Sequence, residues 1–248
     1  MSVDTPEELD GLKRAGRAVS ATLREVARRV RPGVTTAELD AVAAQVFARH
    51  GARSAPALVY GFPGAICISV DDEAVHGIPG PRRLRAGELV KLDVTAELDG
   101  FYADAAISVP VGRVAPRVAR LAAAAQAALR RGLHAARAGA PLNAIGAAVQ
   151  DEAERRACAV LGELTGHGIG RTIHEAPTVP NIYVPALDEP LREGMVITIE
   201  PILGLGSVDV RAGGDGWTIL TADGAPSAHA EHTLVVSGGE PLVLTAAG

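Results

Sequence analysis

The chain has 248 residues, and 48% of them are hydrophobic, which is enough to bury the core of one large domain or two small ones. Its formal charge of -5 gives no sign of a nucleic-acid-binding surface, and two cysteines do not make a disulfide framework. The first thirty residues are charged throughout and no apolar run could span a bilayer, so a cytoplasmic protein is expected.

The first half of the chain predicts two helices followed by strands. Asp4 to Glu8 form a helix start, with a cap, a proline and two acids, and helical spacing continues to Val30. A capping box at 35–38 begins a second helix, which ends near His50 before Gly51. Strand-like sequence follows, through "ALVYGFPGAICISV" and a hairpin around Asp99-Gly100.

The second half repeats this order. A long helix is predicted from Pro116 to Ala138 and another from Ile145 to about Cys158, followed by the strand-like segments "GMVITIEPILGL" and "GWTIL…HTLVVS", the last two forming a second hairpin. Leu84-Arg-Ala-Gly87 lies 107 residues before Leu191-Arg-Glu-Gly194. The repeat predicts two similar halves, about 1–110 and 111–248 of one domain, related by a pseudo-twofold axis.

The hairpin carries a carboxylate in each strand. With Asp99-Gly100 as a two-residue turn, Thr95 faces Asp104, and Asp93 is a diagonal neighbour of Asp104 about 7 Å away. Three explanations fit these residues: a hairpin with both groups in water, a proton shared between the carboxylates, or a bound cation.

The second half adds two carboxylates and a histidine. Glu200 corresponds to Asp93 at the 107-residue offset, Glu231 opens the "HTLVVS" strand, and His167 lies in the glycine-rich "GHGIGRTIHE". Four buried carboxylates without a cation would have to be mostly protonated. With one imidazole they suit two divalent ions, Mn, Fe, Co or Zn, that can share a water and convert it to hydroxide.

The chain resembles the type I methionine aminopeptidases, which have the α+β pita-bread fold with a central antiparallel sheet. The resemblance spans nearly the whole chain and rests on five motifs in order: "AVHGIPG", "KLDVTAELDGFYAD", "GHGIGRTIHE", "MVITIEP" and "AEHTLVV". It implies a dinuclear metallo-hydrolase that removes the initiator methionine from nascent proteins with a small second residue.

The resemblance also implies a role for each site residue. Asp93, Asp104, His167, Glu200 and Glu231 would be the metal ligands, with Asp104 and Glu231 bridging the two ions and Glu200 also shuttling protons. His76 would approach the first peptide nitrogen of the substrate, and His174 the scissile carbonyl. The residues at the methionine-pocket positions are Val59, Phe62, Cys67, Ile173 and Trp217, although the family often has aromatic residues at the positions of Val59 and Ile173.

The implied partner is the N-terminal methionine of a peptide or nascent chain, with transient ribosome association, no specific nucleic acid, no membrane and a monomeric state. No zinc-finger sequence or long N-terminal extension is expected to precede the catalytic domain. Two alternatives stay open, a peptidase of the same fold that cleaves Xaa-Pro peptides and a non-catalytic binding protein of this fold.

Overall fold

A computed structural model describes residues 1–246. Its helices are α1 (Pro6–Ala27), α2 (Thr36–His50), α3 (Ala55–Tyr60), α4 (Pro116–Ala135) and α5 (Asn143–Arg155). The strands are β1 (Arg53–Ser54), β2 (Cys67–Val70), β3 (Glu73–Val75), β4 (Leu89–Leu98), β5 (Phe101–Pro110), β6 (Ala159–Val160), β7 (Gly166–Gly168), β8 (Glu175–Val179), β9 (Val196–Ile199), β10 (Ile202–Gly204), β11 (Val210–Ala212), β12 (Ile219–Thr221), β13 (Ser227–His229), β14 (His232–Val235) and β15 (Leu242–Val243). Among these residues no helix combines the length and apolar character that a membrane span requires.

The predicted starts of α1 and α2 are confirmed, and side-chain caps hold both of them. The Thr5 hydroxyl accepts a hydrogen bond from the Glu8 backbone N–H while the Glu8 carboxylate accepts from the Thr5 backbone, and Thr35 and Glu38 repeat the arrangement. Gly51 ends α2 with φ of 67°, a left-handed conformation that glycine adopts without strain. Helix α1 ends three residues before Val30, because the chain tightens into turns there.

One predicted strand region contains a helix. The start of "ALVYGFPGAICISV" forms α3, and strand β2 begins only at Cys67. The apolar run there favours a strand, but the Ser54 hydroxyl accepts from the Ala57 N–H and Pro56 lies in the first turn. A cap and a proline together favour a helix start over extended chain.

The first hairpin has the predicted register. Strands β4 and β5 pair with Thr95 opposite Asp104 and Leu98 opposite Phe101, and β1 and β2 both pair with β4 to complete a four-stranded sheet. Asp99 and Gly100 have φ values of 52° and 80°, as a two-residue turn with both central residues left-handed requires.

The second predicted hairpin is wrong. Strand β12 pairs with β11 and β3, whereas β14 pairs with β9 in a five-stranded sheet of order β15-β14-β9-β7-β8. Four further strands, β10 to β13, lie between β9 and β14 along the chain. The counterpart of the tight β4–β5 hairpin is therefore a strand pair joined by a long connection.

The sequence repeat is a structural repeat. The Gly33 N–H donates to Leu84 O at 2.7 Å, and the Gly139 N–H donates to Leu191 O at 2.8 Å. Both glycines are left-handed, with φ of 90° and 86°. In each half, a glycine that follows the first helix therefore hydrogen-bonds the segment just before a strand, β4 in the first half and β9 in the second. Asp93 lies in β4, and Glu200 directly follows β9.

Each half has its own core. Helix α1 packs on β4, β5 and α2 around Leu12, Leu39 and Leu92, while α4 packs on α5, β10 and β13 around Leu121 and Ile145. Burial of these side chains, each worth roughly 1.5–3 kcal/mol, holds the helices on the sheets.

The two halves meet where β5 lies against the β13–β14 segment. The Asp104 N–H donates to the Thr233 hydroxyl at 2.8 Å, and that hydroxyl donates to Asp104 O at 2.7 Å. The Ser108 hydroxyl makes the equivalent pair of bonds to the backbone of His229, at 2.8 and 2.9 Å. The Glu231 N–H donates to Ala106 O at 2.9 Å. These bonds bring acidic residues of both halves to one place.

Candidate metal centre and substrate pocket

All five predicted ligands line one cavity of about 220 Å³. Asp93 and Asp104 come from the first hairpin, His167 from the middle of β7, Glu200 from the residue after β9 and Glu231 from the residue before β14. Ligand atoms of Asp104, His167 and Glu231 lie within 4.8 Å of one another, and His167 Nε2 is 3.6 Å from Glu200 Oε1. The structure therefore gathers the groups that the sequence singled out.

Burial makes this cluster unfavourable in its fully ionised form. It raises the pKa of Asp104 to about 6, and it raises the pKa of Asp93 well above its ordinary value, helped by the charges of Asp104 and Glu200. The pKa values of Glu200 and Glu231 are also well above normal, first because of burial and then because of the neighbouring carboxylates. A positive charge placed among these carboxylates would stabilise their ionised forms.

The donor set fits divalent metal ions. Asp104 Oδ1 and Glu231 Oε1 are buried without a hydrogen-bond partner among the described residues. The other oxygen of Asp104 accepts from the Thr95 hydroxyl at 2.8 Å, and Glu200 Oε1 accepts from the Thr198 hydroxyl at 3.0 Å. A carboxylate with one oxygen hydrogen-bonded to a hydroxyl and the other oxygen free is well suited to bind a hard or borderline cation.

His167 is arranged as a ligand. Its Nδ1 lies 2.9 Å from Gly168 O, which can only accept, so Nδ1 carries the proton and the Nε2 lone pair is free. Burial lowers its pKa to about 4, so the imidazole is neutral near pH 7. A neutral ring with its other nitrogen tied to a carbonyl is the usual form of a histidine ligand.

His76 and His174 line the same cavity, and both residues are exposed. His76 is held in a left-handed conformation with φ of 59°, which is costly for a residue with a side chain. The ring of His174 lies 4.2 Å from that of His167, centroid to centroid, and Tyr60 Oη is 2.6 Å from its Nδ1.

Four of the five predicted pocket residues line the cavity, and Val59 does not. Phe62, Cys67, Ile173 and Trp217 form its apolar wall, where the Phe62 and Trp217 rings meet edge to face at 5.2 Å. Val59 lies on α3 with its side chain 40% exposed, because the helix turns the next residue, Tyr60, towards the cavity instead. The family resemblance implied a pocket position for Val59, and in the structure α3 places Tyr60 in the cavity lining instead.

Two cavity residues, and one buried charged residue outside the cavity lining, were not predicted from the sequence. Tyr60 contacts His174, and His229 is 2% exposed and lines the cavity. Lys91 is 1% exposed, and its ammonium donates to Asp71 O at 2.6 Å and to the Ser227 hydroxyl at 3.1 Å. A signal for His229 existed: it is two residues from Glu231 in an extended segment, so the two side chains share a face.

The chain is similar to known metallopeptidases along nearly its whole length. The model of metallopeptidase family M24 matches residues 10–238. A protein of Bacillus subtilis named methionine aminopeptidase 2 is 43% identical over 247 residues, covering 99% of each chain. A solved methionine aminopeptidase from Rickettsia prowazekii has a TM-score of 0.95 and 36% identity over 99% of this chain and all of its own. One from Thermotoga maritima has a TM-score of 0.96 and 33% identity over the full length of both.

The chain belongs to metallopeptidase family M24. Within that family its full-length relatives include the methionine aminopeptidases of three bacteria just described. The predicted family resemblance and the predicted pita-bread fold are both confirmed.

Proposed function

We propose that this protein is a metal-dependent aminopeptidase that removes the initiator methionine from peptides and nascent chains with a small second residue. The observation that carries the proposal is the convergence of four carboxylates, two buried and two half-buried, and one imidazole, from both halves, on a single cavity. The end-to-end similarity to named methionine aminopeptidases supports the same activity. We take the whole chain as one catalytic unit.

Two divalent ions, drawn from Mn, Fe, Co or Zn, would be held here. They would lower the pKa of a bound water to about 7 and place positive charge beside the substrate carbonyl. Asp104 and Glu231 would each contribute to holding both ions, and this role is supported by the buried oxygen that each leaves without a hydrogen-bond partner among the described residues. Asp93 would serve one ion, and His167 with Glu200 the other.

Glu200 is the proton carrier in this proposal. Its raised pKa lets the carboxyl accept a proton at Oε2 while the Thr198 hydroxyl keeps Oε1 in place. It can then pass that proton to the leaving amine, acting first as a general base and then as a general acid.

His174 and Tyr60 act on the scissile carbonyl. When the Tyr60 hydroxyl donates to His174 Nδ1, the ring proton lies on Nε2. An Nε2–H directed at the substrate carbonyl stabilises the negative charge that develops on its oxygen, an effect worth about 3 kcal/mol for one such donor. His76 would contact the first peptide nitrogen.

The apolar wall accounts for the choice of side chain. Phe62, Cys67, Ile173 and Trp217 offer aromatic, aliphatic and sulfur surface to an unbranched side chain, and few polar groups that a charged one could use. Methionine matches such a pocket because it is apolar and flexible. As working partners we propose nascent chains at the ribosome, in the cytoplasm, with the enzyme as a monomer that binds no specific nucleic acid.

The proposal is tested with purified protein loaded with each metal in turn. We expect release of methionine from Met-Ala-Ser, no cleavage of a Xaa-Pro dipeptide, and loss of activity on chelation. Glu200→Gln should keep the fold and lose turnover by about 10²-fold or more. Faster cleavage of Xaa-Pro peptides would support the alternative peptidase, and a folded protein inactive with every metal would support a binding protein.

A further inference from the structure

His229 is a buried histidine that the proposed mechanism does not use. It is 2% exposed, it lines the cavity, and neither ring nitrogen has a hydrogen-bond partner among the described residues. An unpartnered polar group in a closed site costs roughly 1–3 kcal/mol. The cost at His229 therefore calls for a ligand that completes its bonding.

The backbone holds this ring in place. His229 is the last residue of β13, and both its N–H and its carbonyl are bonded to the Ser108 hydroxyl of the other half. The side chain is therefore held by the same contacts between β5 and the β13–β14 segment that position Glu231. A side chain this buried has little room to move out of the cavity.

Glu200 lies between two imidazoles. One of its oxygens is 3.6 Å from His167 Nε2, and the other is 3.9 Å from His229 Nε2. His229 Nε2 is also 3.8 Å from Glu231 Oε2. These separations are too long for hydrogen bonds. They are close to what two atoms show when each binds the same ion at about 2.1 Å with a wide angle between them.

The chemical state of the ring suits a metal. Both ring nitrogens are buried and have no hydrogen-bond partner among the described residues, so Nε2 is free to bind an ion. A neutral imidazole beside carboxylates is a ligand of Zn, Fe, Co and Ni.

We propose that His229 is a sixth ligand of the metal centre, binding an ion through Nε2 together with Glu231 or Glu200. This rests on the proposed function, because it adds a nitrogen to the predicted five-residue set. A second imidazole would shift the metal preference of the centre towards Zn and Co and away from Mn, which favours oxygen donors.

The direct test is nuclear magnetic resonance of the protein with ¹⁵N-labelled histidine and bound ¹¹³Cd. We expect two histidines with a ring nitrogen coupled to cadmium, and one in His229→Gln. A single coupled histidine in the unaltered protein would overturn the assignment of His229 and leave the proposed centre intact. The absence of any coupled histidine would contradict the centre as well.

Affinity provides a second readout that does not depend on catalysis. In competition with a chromophoric chelator, His229→Gln should bind Zn about tenfold or more weakly, with a smaller loss for Mn. His232→Gln is the matched control, since His232 is a neighbouring histidine whose Nδ1 is bonded to the Thr245 hydroxyl at 2.9 Å. Equal losses of Zn affinity in the two variants would refute the proposal.

Discussion

Asp93 and Asp104 occupy strand positions where an aspartate without a partner is destabilising. The predicted register of the hairpin placed them as near neighbours, and the structure has that register. What residue types and spacing could not decide was whether the pair faces water, because a strand pattern does not say which elements cover it. The answer comes from β14, whose Thr233 bonds the Asp104 backbone from the other half.

The raised carboxyl pKa values predict that metal binding displaces protons. Burial favours the protonated forms of Asp93, Asp104, Glu200 and Glu231, so a metal must compete with protons and its affinity falls as the pH falls. Calorimetric titration of Zn in two buffers of different ionisation enthalpy should show at least one proton released per molecule at pH 7. His167, with its pKa lowered to about 4, contributes none. Zinc binding without proton release would contradict the buried-carboxylate account.

The sequence did not identify side chains whose contacts are made with residues far away in the chain. Tyr60 reaches His174 because α3 is a helix, and Lys91 is buried because the turn after β2 and strand β13 both close over it. A lysine between apolar residues predicts an exposed position by composition alone. Its three oxygen partners come from segments far apart in the chain, so no local pattern indicates them.

At the scale of elements, the repeat could be detected in the sequence because glycines occupy equivalent positions in the two halves. Gly33 and Gly139 each need a left-handed conformation to bring their N–H to a leucine carbonyl of the segment ahead of the carboxylate strand. Such positions restrict the residue type strongly. The second hairpin was misread because strand pattern shows which segments are strands but leaves their pairing open.

The glycine turns give a prediction with a matched control. Gly33→Ala and Gly139→Ala should each lower the free energy of unfolding by roughly 1–2 kcal/mol, because an added Cβ meets no atom within 4 Å and only the positive φ is penalised. Gly80→Ala is the control, since it also has open space but no left-handed φ. Denaturant unfolding measures all three. A loss in the control as large as in the other two would remove the conformational explanation.

At the scale of the whole molecule, the site exists only because the two halves are joined. Each half supplies carboxylates. The joint between the halves consists of hydrogen bonds between the hydroxyls of Thr233 and Ser108 and backbone groups of the opposite half. The full-length similarity to the solved enzymes includes both halves.

Thr233→Val tests this joint. The change keeps the shape but leaves the buried N–H and carbonyl of Asp104 without the hydroxyl, so the free energy of unfolding should fall by about 2 kcal/mol. Thr22→Val is the control, because Thr22 is equally buried and its hydroxyl bonds only Ala18 O within α1. The control should lose less than about 1 kcal/mol, measured by the same unfolding. Equal losses would show that the joint adds nothing beyond ordinary core packing.

The account depends most on a pair of ions between the two halves. Anomalous diffraction from crystals grown with Mn, Co or Zn measures this directly. The account predicts two peaks about 3–4 Å apart, surrounded by the side chains of Asp93, Asp104, His167, Glu200 and Glu231. Peaks only at the protein surface, with these carboxylates bonded to one another or to water alone, would contradict it.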